Sequence, residues 1–145
     1  MSKHSRTPWW KKVRTVPRLE RPHVDRRGSL HVIASSRSIG TRFGSVVVIS
    51  SRKGTVRANH RHHADSHLCY LVSGKMLYVE RKPGASRPNK RVIVRAGQAV
   101  FTPPKVDHAM KFLADTVFIT VADRHRSQAD YEKDLVRLNP PLISG

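Results

Sequence analysis

The sequence predicts an all-β domain, an antiparallel sandwich or barrel, on three observations. Short runs rich in β-branched and aromatic residues follow one another from Gly28 onward, and Gly, Pro or Ser punctuate nearly all of them. Histidines within them recur at an interval of two, the period of a strand. In order, the predicted strands are Leu30 to Ala34, Phe43 to Ser51, Thr55 to His62, His67 to Ser73, Met76 to Arg81, Val92 to Ala96, Ala99 to Thr102, His108 to Phe112 and Thr116 to Val121. Many short strands with such breaks fit two packed sheets or a closed barrel.

Only the C-terminal end reads as helical. Ser127 followed three residues later by Asp130 resembles a capping box with the shorter acid. Tyr131, Leu135 and Leu138 then fall on one helical face until Pro140-Pro141 stops it. The first 22 residues hold three of the nine prolines and little periodicity, so they read as an extended arm. Within that arm Trp9-Trp10 is costly to leave in water and is expected to anchor it on its own barrel or on a neighbouring subunit, which makes a homodimer the natural expectation. The expected organisation is therefore a basic Pro-rich arm over 1–22, a barrel over 23–125, and a helix with its tail over 126–145.

At 145 residues the chain has room for one sizeable core. Its formal charge of +18 is extreme for that size. Lys3, Arg6, Lys11, Lys12, Arg14 and Arg18 crowd the arm, and Arg81, Lys82, Arg87, Lys90, Arg91 and Arg95 form a second basic stretch. Such a field attracts nucleic acid, anionic polysaccharide or the diphosphate of a nucleotide, although a basic solvated surface accounts for it equally. The single cysteine, Cys69, excludes an intrachain disulfide framework, suits a reducing cytosol and reads as a small core hydrophobe. No apolar run is long enough for a membrane span or a signal-peptide core, so a cytoplasmic protein is expected. Prolines at 8, 17 and 22 argue against an amphipathic transit helix.

The stretch Gly54 to Gly74 carries the chemistry. Gly54 is followed by five residues and His60; His62 comes next but one, His67 after four more, and Gly74 after a further six. By alternation His60 and His62 share a strand face, with His63 pointing away. After a turn through Ala64 to Ser66, His67, Cys69 and Leu71 share the inward face of a second strand, leaving Leu68, Tyr70 and Val72 outward. A fourth histidine, His108, follows Gly97 and Pro103-Pro104 and opens an apolar strand. Convergent histidines of this kind read as a metal pocket.

Together the two stretches resemble the paired motifs of the cupin superfamily: glycine, five residues, HxH, a carboxylate three or four residues on, six residues, glycine; then glycine, five residues, proline and a histidine. The resemblance implies a double-stranded β-helix, or jelly-roll barrel, with His60, His62, His67 and His108 as metal ligands. His67 stands where the family usually has glutamate, so the motif itself supplies no carboxylate. Four neutral imidazoles suit Zn, Fe or Ni, and also Cu, better than Mg or Ca.

Three further segments resemble the sugar-nucleotide branch of that superfamily, which includes the dTDP-4-dehydrorhamnose 3,5-epimerase-like proteins, the 3,4-ketoisomerases and the cupin half of capsular-polysaccharide reductases. They are Asp25 to Ile33, Val56 to His62 with Ala58 in place of a glycine, and Ala122 to Leu138. The resemblance implies a nucleotide-sugar substrate, with Arg57 gripping the diphosphate and Arg27 of the opening Arg-Gly beside it. His60 and His62 become candidate bases as well as candidate ligands. Tyr78, if its hairpin turns inward, becomes the candidate holder of an enolate oxygen. Two other functions stay open: a non-haem iron dioxygenase with all-histidine ligands, and a non-catalytic basic cupin that binds a sugar, nucleic acid or other polyanion or serves as a structural subunit.

Overall fold

The computed structural model describes residues 21–35, 44–124 and 127–145. Their strands, in chain order, are β1 (His23–Asp25), β2 (Gly28–Ser35), β3 (Ser45–Ser51), β4 (Val56–His62), β5 (His67–Ser73), β6 (Lys75–Arg81), β7 (Lys90–Arg95), β8 (Ala99–Thr102), β9 (Asp107–Phe112), β10 (Thr116–Ala122) and β11 (Leu135–Arg137). A short helix, α1 (Gln128–Asp134), precedes the last strand. The strands form two antiparallel sheets, of order β1-β2-β3-β10-β5-β8 and β11-β4-β9-β6-β7. The predicted strand starting at Phe43 begins at Ser45 as far as it is described; Phe43 itself, like Trp9 and Trp10, lies outside the described residues.

Alternation places the core. On β3, Ser45, Val47, Ile49 and Ser51 are buried while Val46, Val48 and Ser50 are half-buried on the opposite face. On β5, Cys69 and Leu71 are buried and Leu68, Tyr70 and Val72 are exposed, as the period of two predicts. The apolar layer between the sheets is built from Val47, Ile49, Leu71, Met76, Tyr78, Phe112 and Phe118 among others. Phe112 and Phe118 join the two sheets by stacking at a centroid distance of 5.4 Å. β5 and β6 connect through Gly74 alone, whose φ of +95° suits glycine, and where a Cβ would strike Thr116 and the backbone of Asp115.

Two elements differ from the sequence-based expectation. The predicted helix does not extend through Leu135 to Leu138: Ser127 caps it as expected, its Oγ accepting from the Asp130 amide at 3.1 Å, but Leu135 turns extended. Leu135, Val136 and Arg137 pair with His62, Arg61 and His60, covering what is otherwise the open edge of β4. Helix periodicity cannot register a sheet edge that needs a partner. Secondly, β1, which is absent from the predicted strands, pairs with β2 across the Asp25–Gly28 turn.

β4 carries a bulge. Its pairing with β9 shifts between Ala58 and His60, and Ala58 and Asn59 both adopt left-handed φ, at 67° and 53°. Asn59 is tied to the C-terminal tail, donating from Nδ2 to the Ile143 carbonyl and accepting from the Ile143 amide. Ala58 has no such side-chain compensation and occupies a conformation that costs an alanine about 1–2 kcal/mol. Ala58→Gly is therefore expected to raise stability by about 0.5–1 kcal/mol after glycine's entropy is deducted, seen as a small rise in melting temperature.

Candidate metal centre

The bulge sets His60 directly opposite His108 in the β4–β9 register. Two residues on, His62 faces the same interior, and the three side chains sit within one sheet, almost wholly removed from solvent. Ring centroids lie 4.8 Å apart for His60–His62, 4.8 Å for His60–His108 and 5.6 Å for His62–His108. His67 approaches from β5 of the other sheet and stacks on His62 at 4.3 Å. His63 is exposed, as expected.

The ligand atoms form two triads that share His62. One nitrogen each from His60, His62 and His108 lie within 4.8 Å of one another, and the same holds for His62, Asp65 and His67. Carboxylates thus stand beside the cluster, contrary to the all-imidazole expectation. Asp65 Oδ2 lies 3.0 Å from His67 Nε2. Asp134, from the end of α1, accepts from His62 Nδ1 at 3.1 Å and from the amides of Ala64 and Asp65. Sequence reasoning missed both. Asp65 was visible inside the histidine motif, two residues before the family's acidic position, whereas nothing local links Asp134 to a histidine 72 residues away.

Hydrogen bonds fix which nitrogens face inward. His62 Nδ1–H donates to Asp134, and His108 Nδ1–H donates to the Val106 carbonyl at 3.1 Å, which leaves Nε2 of each ring with its lone pair. His60 Nδ1 is buried without a hydrogen-bond partner. Burial, reinforced by the neighbouring imidazoles, pushes His108 down to about 3 and His60 well below the usual histidine range. His62 is pushed down to about 4, again chiefly by burial, with the Asp134 bond opposing. His60, His62 and His108 are therefore neutral at physiological pH. Neutral imidazoles with inward lone pairs, one of them orphaned, are what a transition-metal site requires.

A cavity of about 130 Å³ opens onto these groups. It is lined by His60, His62, His67 and His108, by Cys69 and Phe118, and by Arg27, Arg57 and Arg137. Burial pushes the Cys69 thiol up to about 12, consistent with a packing role. Arg57 Nε donates to Ser51 Oγ at 2.6 Å, and Arg27 is held by Asp25, which the guanidinium keeps far below the usual carboxylate range. Tyr78 does turn inward, but its hydroxyl donates to Glu80 at 2.7 Å and meets Thr102 at 2.6 Å, and it does not line the cavity. Tyr131 of α1 also reaches the histidines, its ring 6.1 Å from His60 and 5.9 Å from His62, while the Tyr78 ring lies 6.4 Å from His108. On the far side of His67 and Tyr131 lies a larger groove of about 400 Å³, bordered by Arg124 and Lys133 as well as Asp65, Asp130 and Asp134.

Two antiparallel sheets closing over a histidine-lined cavity define a small β-barrel with a candidate metal centre. The chain belongs to the cupin domain family, whose profile matches residues 47–122. No curated protein matches it. Among solved structures it is similar to CapF bound to the inhibitor 3-isopropenyl-tropolone, at 25% identity and a TM-score of 0.70, covering 84% of this chain and 34% of that one. It is also similar to KdgF from Halomonas sp., at 18% identity and a TM-score of 0.58, covering 70% and 82%. Oxalate decarboxylase of Bacillus subtilis, described with Mn(II) centres, matches at 16% identity and a TM-score of 0.67, covering 88% and 33%. The chain spans about a third of the length of CapF. Among the described residues no helix is long and apolar enough to cross a membrane.

Proposed function

We propose that the chain is a metal-binding cupin that takes an anionic, carbonyl-bearing substrate, such as a nucleotide sugar, and moves a proton on the carbon beside the carbonyl, as epimerases and ketoisomerases do. The observation that carries this function is the cavity, where the buried imidazoles and three arginine side chains line one space. His60, His62 and His108 would hold a divalent Zn, Fe or Ni, which when bound supplies a Lewis acid for a carbonyl oxygen. His67 is then the imidazole left to take up the proton, with Asp65 Oδ2 3.0 Å from its Nε2. The base role expected of His60 and His62 passes to His67, and the hydroxyl role expected of Tyr78 passes to Tyr131, because Tyr131 lines the cavity and Tyr78 does not.

The volume limits what enters. A cavity of about 150 Å³ holds benzene, so about 130 Å³ admits the reacting part of a sugar ring but no nucleotide. The nucleotide part would lie outside, with Arg27, Arg57 and Arg137 meeting phosphate oxygens. The test is elemental analysis of untagged protein beside incubation with dTDP- and UDP-sugars in heavy water. About one transition-metal ion per chain and deuterium entering next to the carbonyl are expected. Iron-dependent oxygen uptake without exchange would favour a dioxygenase, and neither metal nor sugar response would leave a polyanion-binding subunit.

The partner that best fits the outer face of the six-stranded sheet is a second copy of the chain. Register aligns Val46, Val121, Leu68 and Phe101 in one row and Val48, Ile119, Tyr70 and Ala99 in the next. Phe101 is 56% exposed there. These two rows carry no charge on a chain of +18, so identical molecules meet here with the least repulsion. Phe101→Glu is expected to convert a dimer to a monomer in sedimentation velocity; a wild-type monomer would sink the proposal.

A further inference from the structure

The two triads differ in chemistry as well as in place. His60, His62 and His108 offer three nitrogens, whereas His62, Asp65 and His67 offer two nitrogens and a carboxylate oxygen. His62 has only one nitrogen to give, because Nδ1 is bonded to Asp134. An ion on one triad therefore excludes an ion on the other.

The outer triad is built for a cation. His67 Nε2 is buried and lacks a hydrogen-bond partner, although Asp65 Oδ2 stands 3.0 Å from it off the line of a hydrogen bond. Asp65 is held in place through its other oxygen, Oδ1, which accepts from the amides of Ser66 and Arg124. That leaves Oδ2 free of backbone duty. His67 Nε2 and Asp65 Oδ2 thus face one space beside His62, and an anionic oxygen lowers the cost of a divalent charge in so basic a chain.

We propose that these are two mutually exclusive metal sites: an inner all-histidine site that takes Zn(II) or Ni(II), and an outer site of His62, Asp65 and His67 that takes Mn(II) or Fe(II). The division follows ligand preference, since all-imidazole sites suit Zn and Ni while a carboxylate with two imidazoles suits Fe(II) and the more oxygen-loving Mn(II). The outer site also borders the 400 Å³ groove through Asp65 and His67, which none of the three inner ligands lines. It rests on the proposed metal-binding function but not on any reaction.

The test is calorimetry with Mn(II) and Zn(II) on the full chain stripped by a chelator. Asp65→Asn keeps the Oδ1 acceptor and is expected to weaken Mn(II) at least about tenfold while leaving Zn(II) within about threefold. His60→Ala is expected to do the reverse, and the two metals together should never exceed one ion per wild-type chain. Should Asp65→Asn disturb the turn, as circular dichroism would reveal, His67→Ala removes the outer site alone and carries the same expectation. Equal losses for both metals, unchanged Mn(II) affinity, simultaneous binding of two ions, or wild-type protein that binds Zn(II) but not Mn(II) would overturn the two-site assignment while leaving a metal cupin standing. A wild-type chain that binds neither metal would overturn both.

Discussion

Replacing His62 by alanine is expected to lower metal content from about one ion per chain to less than about a tenth, while the barrel stays folded. His62 is the member that both triads share, so its loss leaves no complete three-ligand set among the described residues. It is also the ring around which the cluster is assembled, with centroids 4.8 Å from His60, 4.3 Å from His67 and 5.6 Å from His108. Loss of an outer-shell partner alone costs about 10–100-fold in affinity, and loss of the common ligand should exceed that. The fold survives because Asp134 keeps its bonds from the Ala64 and Asp65 amides, so the turn and α1 stay joined without the imidazole. Elemental analysis beside a far-ultraviolet melt makes the comparison. Unchanged metal in a folded variant would move the site elsewhere.

Those interactions show which parts of the molecule a sequence can reveal. Strand faces were legible because period-two burial is written locally: Cys69 and Leu71 are buried while Leu68, Tyr70 and Val72 stand outside. His60, His62 and His108 were legible because two short motifs place them on strands that turn out to be neighbours in one sheet. The end of α1 was not, since Leu135 continues the helical apolar period yet leaves it to pair with His62. What decides there is the unpaired edge of β4, a tertiary fact. Asp134 escaped for the same reason: an acidic residue on a polar helix looks solvated until the helix is docked beside His62. Tyr78 meets the condition of turning inward, but strand patterns say nothing of the Glu80 and Thr102 partners that engage its hydroxyl. Both candidate arginines reach the cavity, but spacing does not show their partners: Arg27 is engaged by Asp25 across its own turn, and Arg57 by Ser51 of the opposite sheet.

Phe118→Ala is expected to destabilise the chain by about 3–5 kcal/mol, because it removes a buried aromatic from the join between the sheets. Phe118 is 1% exposed and sits on β10 between Ile49 of β3 and Leu71 of β5, so its strand neighbours on both sides are core residues. Across the layer it stacks on Phe112 with an interplanar angle of 18°. Phe112 ends β9, the strand whose interior face also presents Met110 and His108, and Phe118 and Met110 both line the metal cavity. The stack therefore holds the six-stranded sheet over the one that carries three of the histidines. For a domain of 145 residues such a loss corresponds to a fall of about 10–15 °C in melting temperature. Metal uptake at low temperature should persist, since the ligands sit in a sheet with its own hydrogen bonds, but the enlarged cavity should lose its fit for the substrate. A fall of less than about 3 °C would mean that the barrel closes without this stack. Loss of metal at temperatures where the variant is fully folded would mean instead that Phe118 sets the positions of His60, His62 and His108, tying site geometry to the packing between the sheets.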